Sequence, residues 1–120
     1  MKNDSIIEQK SKKFAIRIMK LVQYLDKNRC PYFMLSQIGR AGTSIGANIV
    51  EAEHAISKKE FLQKMYIAYK ECNETLYWLD LLFECEYISK IGYERLYREC
   101  RELEKILSSI TKTTASSIKS

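Results

Sequence analysis

The sequence predicts an all-α protein, an up-and-down antiparallel bundle of four helices. Three observations predict it. There is one Pro and only four Gly in 120 residues, too few breakers for a β-rich fold, which turns every few residues. Apolar residues recur at steps of three and four in four separate blocks. The connections between blocks are short, which favours antiparallel neighbours. The bundle is expected over residues 1–111, with helices at about 6–27, 33–55, 58–85 and 90–111 and a frayed tail at 112–120.

The first helix carries Phe14, Ile18, Leu21, Val22 and Leu25 on one face. Ser5 and Glu8 have the spacing of a capping box, in which hydroxyl and carboxylate satisfy each other's free amides. Asn28-Arg29-Cys30-Pro31 ends the helix, because the residue before a Pro avoids helical geometry.

The second helix has a heptad seam of Ile38, Gly42, Ile45, Ile49, Ala52 and Ile56. Gly39, Gly42 and Gly46 lie within it. Each costs about 1 kcal/mol of helix propensity relative to Ala, so three together suggest that another backbone comes very close. The unbroken seam favours a continuous helix over one interrupted near Gly42-Thr43.

The third helix follows a second capping box, Ser57 with Glu60. Its seam is Phe61, Met65, Ala68, Cys72, Leu76, Leu79 and Phe83, and a second stripe of Leu62, Tyr66, Tyr69, Tyr77 and Leu81 runs beside it. One stripe serves a bundle. Two imply a second set of neighbours, so these five residues are a candidate oligomer interface. The alternative places the tyrosines at the bundle edge with wet hydroxyls. The fourth helix has the seam Leu96, Cys100, Leu103, Leu107 and Ile110. The residues after it, Lys112 to Ser120, are mostly Ser, Thr and Lys and offer little apolar surface to offset ordering.

Composition narrows the function. Net charge is +5 and the pI near 9.0, which suits a polyanionic partner without demanding one. Cys30, Cys72, Cys85 and Cys100 form no C-x-x-C pair, so zinc knuckles and thioredoxin-like motifs are excluded. Unpaired thiols on apolar faces, no apolar leader and no membrane-length run point to a cytoplasmic protein without a membrane partner.

Enzymatic motifs are missing: there is no nucleophile elbow, phosphate loop or dinucleotide fingerprint. Glu51 and His54 have the Glu-x-x-His spacing of di-iron bundles, but His54 is the sole histidine, and one protomer cannot complete that ligand set. No metal, no cofactor and no catalytic residue is expected. Glu71 and Glu74 share a face of the third helix, and Glu74 is placed to pair with a basic residue such as Arg40.

The basic residues are more informative. Lys10, Lys13, Arg17 and Lys20 form a row along the first helix, and Arg98, Arg101 and Lys105 a shorter one on the fourth. These seven are candidate nucleic-acid contacts, since such rows follow phosphates. Glu8, Glu94, Glu99, Glu102 and Glu104 dilute both rows, and on a single protomer the rows read more simply as solvated faces. Self-association would multiply the charge.

One stretch is specific. Gln37-Ile38-Gly39-Arg40-Ala41-Gly42-Thr43-Ser44-Ile45-Gly46-Ala47-Asn48-Ile49-Val50-Glu51-Ala52 resembles the signature of bacterial four-helix proteins encoded in intervening sequences of 23S rRNA genes. Phe61, Ala68, Glu74 and Tyr77-Trp78-Leu79 look like that family's third helix. The chain departs at Ala52, where Gly is usual, and at Glu71, where Ser is common. The resemblance implies a ring-shaped homopentamer. It also implies kinship with the accessory variability determinant of diversity-generating retroelements, a basic pentamer that associates with a reverse transcriptase and nucleic acid. The expectation is a non-enzymatic oligomer bound to RNA or DNA. The alternative is a protein-interaction scaffold, for example an accessory subunit of a polymerase.

Overall fold

In the computed structural model, which describes residues 2–119 and side chains from Ile6 to Ile118, four helices follow one another as α1 (Lys2–Lys27), α2 (Tyr32–Glu53), α3 (Lys58–Glu84) and α4 (Lys90–Lys119). No strand occurs among the described residues. Each helix packs on the next and α4 closes back on α1, while among the described residues the backbones of the diagonal pairs stay apart. The result is a square rod measuring 50 × 21 × 21 Å.

The buried seams explain the rod. Phe14, Ile18 and Leu25 of α1 meet Ile38, Ile45 and Ile49 of α2. Met65, Ala68, Cys72 and Leu79 of α3 meet Leu96, Cys100, Leu103 and Leu107 of α4. The three glycines of α2 lie against α1, opposite Val22, Ile18 and Ser11, and α2 is unbroken through them. Phe83 is only half-buried, and Leu82 takes the inward position near the end of α3.

Both turns at one end of the bundle use the same device. Arg29 (φ 60°) and Glu86 (φ 64°) are left-handed. Cys30 N–H donates to Leu25 O at 3.0 Å and Arg29 N–H to Asp26 O at 3.1 Å; Tyr87 N–H donates to Leu82 O at 2.9 Å and Glu86 N–H to Phe83 O at 3.0 Å. These are Schellman closures, which satisfy the last carbonyls of a helix. At the other end Ser57 caps α3 by accepting from the Glu60 amide at 3.1 Å. The Glu60 carboxylate reaches the Ile56 amide at 3.4 Å instead of that of Ser57.

Several boundaries differ from the sequence reading. Helix α1 begins at Lys2, so Ser5 lies within the helix instead of capping it. Ile56, read as the last seam residue of α2, is 92% exposed because the helix stops at Glu53. The tail expected to fray is helical through Lys119. Ala115 and Ile118 are half-buried facing the start of α3 across a groove, and Lys58 Nζ donates to Ser117 Oγ at 2.8 Å.

Candidate nucleic-acid interface

Helices α1 and α4 are neighbours, and the basic row of α1 borders α4, where Lys10 and Arg17 meet Glu102 and Glu99. The chain's charge also segregates by helix. Helix α1 has seven Lys/Arg and three Asp/Glu; α4 has seven and four. Their net charges are +4 and +3, while α2 and α3 carry −1 each.

The rows are not uniformly free. Lys10 Nζ lies 2.9 Å from Glu102 Oε1, and Arg17 Nε lies 3.0 Å from Glu99 Oε1. Arg101 pairs with Glu104 one turn along α4. Lys13, Lys20, Arg98 and Lys105 are exposed and make no ion pair among the described residues. Four of the seven named residues are therefore open to an outside anion, and three are engaged within the protomer. Lys10, Lys13 and Arg17 also line a cleft of about 130 Å³ with Glu99 and Glu102. Glu99 Oε1 is buried there with no donor aligned on it, since the Arg17 contact lacks hydrogen-bond geometry.

Across the bundle, α2 and α3 are clamped by a polar network. Arg40 Nη1 lies 3.2 Å from Glu71 Oε2, Arg40 Nη2 pairs with Glu74, and Trp78 Nε1 donates to Glu74 Oε2 at 3.0 Å. Burial pushes the Glu71 carboxyl above its ordinary range, and Arg40 offsets this only in part. Burial also acts on Glu74, but hydrogen bonds from Arg40 and Trp78 outweigh it and hold that carboxyl low. Two carboxylates on one guanidinium thus shift in opposite directions. The arrangement fastens two helices.

The suspected metal motif is engaged elsewhere. Glu51 Oε1 is 2.9 Å from Lys64 Nζ, and His54 Nδ1 is 2.9 Å from Val50 O at the end of α2. Among the described residues no cluster of three His, Cys, Asp or Glu could hold a metal ion. The Cys72 thiol is held far above its usual range by the Cys100 thiol and by burial, which makes it inert as a nucleophile.

The second stripe of α3 divides. Tyr69 and Leu81 pack on the protomer's own core and Leu62 is half-buried. Tyr66 and Tyr77 remain 51% and 58% exposed. Helices α2 and α4 flank α3 on two sides, and together they cover more of it than one seam's width suggests. Leu62 and Tyr66 also line a groove of about 620 Å³ between α3 and the tail of α4. The sequence reading missed that groove because it took the tail to be unstructured.

Fold and charge together define a class: a small basic four-helix bundle in which no described helix is long and apolar enough to cross a membrane. The family model of 23S rRNA-intervening sequence proteins matches residues 3–109, and the chain belongs to that family. Among solved structures it is similar to a protein of unknown function from the S23 ribosomal protein family of Bacteroides thetaiotaomicron. The two are 46% identical with a TM-score of 0.89, over 92% of this chain and 98% of the other. No curated protein matches.

Proposed function

We propose that the protein is a non-enzymatic, nucleic-acid-associated binding protein that presents the α1–α4 side to a phosphate backbone. One observation carries the reading: the net charges of +4 and +3 fall on adjacent helices while the other two are slightly negative. Such segregation focuses a positive field on one side. Lys13, Lys20, Arg98 and Lys105 are the contacts, because their charges are not spent within the protomer. Self-association strengthens the field, with the exposed Tyr66 and Tyr77 of α3 contributing to the contact between copies and a ring of five the arrangement the family resemblance implies.

The test is binding of a labelled RNA hairpin and a DNA duplex at two salt concentrations, with molar mass in solution measured alongside. Binding should weaken as salt rises, and K13E/K20E should weaken it without unfolding the protein. Undetectable binding at low salt overturns the reading.

A second reading, a scaffold for a protein partner such as a polymerase, is favoured by the groove between α3 and α4. It is lined by the apolar Leu62, Ile67, Ala115 and Ile118 together with Lys59, Lys70 and Lys112. Recovery of only nucleic acid with the tagged protein from its native host counts against this reading.

A further inference from the structure

The basic row of α1 does not end at Lys20. Its alternating steps of three and four continue to Tyr24 and Lys27, which places both on the same stripe of the helix. Tyr24 is 51% exposed. Its ring pairs with no other ring and its hydroxyl has no hydrogen bond among the described residues. Its main-chain carbonyl is occupied, accepting from Asn28 Nδ2 at 2.8 Å, so the backbone under the ring is held in place. Lys20 and Lys27 flank it along the helix, and Arg29 follows in the turn. All three are exposed and make no ion pair among the described residues.

A flat aromatic surface set among unspent cations suits a particular form of polyanion. In a duplex the base faces are hidden in the stack, and a surface lysine meets only phosphates. A single strand offers both phosphates and open base faces, and a base stacks on a tyrosine whatever its identity. We propose that the C-terminal half of α1 binds single-stranded nucleic acid, with one base stacked on Tyr24 and phosphates held by Lys20, Lys27 and Arg29. The inference rests on the nucleic-acid reading above and adds the strandedness of the ligand.

The experiment is fluorescence anisotropy with a labelled unstructured oligonucleotide and a hairpin duplex of the same length. The proteins compared are wild type, Tyr24→Ala and Tyr24→Phe, each checked for an unchanged melting temperature. Wild type should prefer the single strand. Tyr24→Ala should weaken single-strand binding roughly ten-fold, leave duplex binding within two-fold, and keep the salt slope, because phosphate contacts persist. Tyr24→Phe should bind like wild type, since the ring and not the hydroxyl does the stacking. If Tyr24→Ala binds the single strand as well as wild type, or loses both ligands equally, the stacking proposal fails while the basic face stands. If wild type binds neither ligand at low salt, both readings fall.

Discussion

Gly42 lies so close to Ile18 that the Cβ it lacks would fall 2.6 Å from Ile18 Cγ1 and 2.9 Å from Cγ2. Helix propensity alone favours Ala at this position. The contact reverses that preference, because both branches of a β-branched side chain would have to move in a filled core. Gly42→Ala should cost about 1–3 kcal/mol, the usual range for overpacking. Gly39→Ala, whose Cβ would meet Val22 Cγ2 at an ordinary 3.4 Å, should be neutral or gain up to about 1 kcal/mol. Urea denaturation of the two variants measures the contrast.

The carboxylates around Arg40 should respond oppositely to neutralisation. Glu74 is held below the ordinary 4.5, so its ionised form stabilises the fold above pH 4.5 and that contribution disappears as pH falls through its folded value. Glu71 is raised above 4.5. Its contribution is complete below 4.5 and is lost as pH rises through its folded value. At neutral pH, Glu74→Gln should therefore destabilise, by about 0.5–1 kcal/mol given partial exposure and solvent screening, and Glu71→Gln should be neutral or mildly stabilising. Denaturation midpoints at pH 7 and pH 4 should show both differences shrinking in acid.

Tyr93 stacks on Phe83 with ring centroids 4.5 Å apart and donates its hydroxyl proton to Asp80. That hydrogen bond, together with burial, pushes its pKa from 10.0 up to about 12. The stabilisation is present in full below pH 10 and is lost as pH rises toward 12. Tyr93→Phe should be less stable than wild type at pH 8, and the gap should close at high pH. Thermal melts across the alkaline range follow it.

Removing residues 113–120 should lower stability measurably, against what composition suggests. Ala115 and Ile118 would leave α3, and Lys58 would lose Ser117. Partial burial of these two side chains corresponds to about 1–2 kcal/mol. Calorimetry of the truncated chain, and faster hydrogen exchange at the start of α3, would register the loss. An unchanged melting temperature would show the tail contributes nothing.

The helices were legible because their burial follows period and spacing, which any reader of the chain can count. The glycines of α2 were legible only in part: a neighbouring backbone comes near at Gly46, where an added Cβ would meet Ser11 O at 3.6 Å, whereas Gly42 makes room for the Ile18 side chain and Gly39 has only ordinary contact with Val22. Ile56 misled because a heptad count does not register that the helix has stopped, and the chain leaves α2 after Glu53. The surroundings of Lys10 and Arg17 were harder to read. Their partners Glu102 and Glu99 come from the far end of the sequence, and the longitudinal offset of two helices is set by packing, which neither helix's own pattern encodes. The tail misled because average composition hid two well-placed apolar residues.

The square arrangement of helices governs how the chain assembles. Three of its four edges join helices adjacent in sequence, so each forms as a local hairpin with little loop entropy to overcome. The remaining edge unites the first helix with the last and must wait for α4. Folding should therefore be fast, as for chains rich in local contacts. On the ribosome, three helices would emerge with Met65, Cys72 and Leu79 still uncovered until the final helix arrives to shield them.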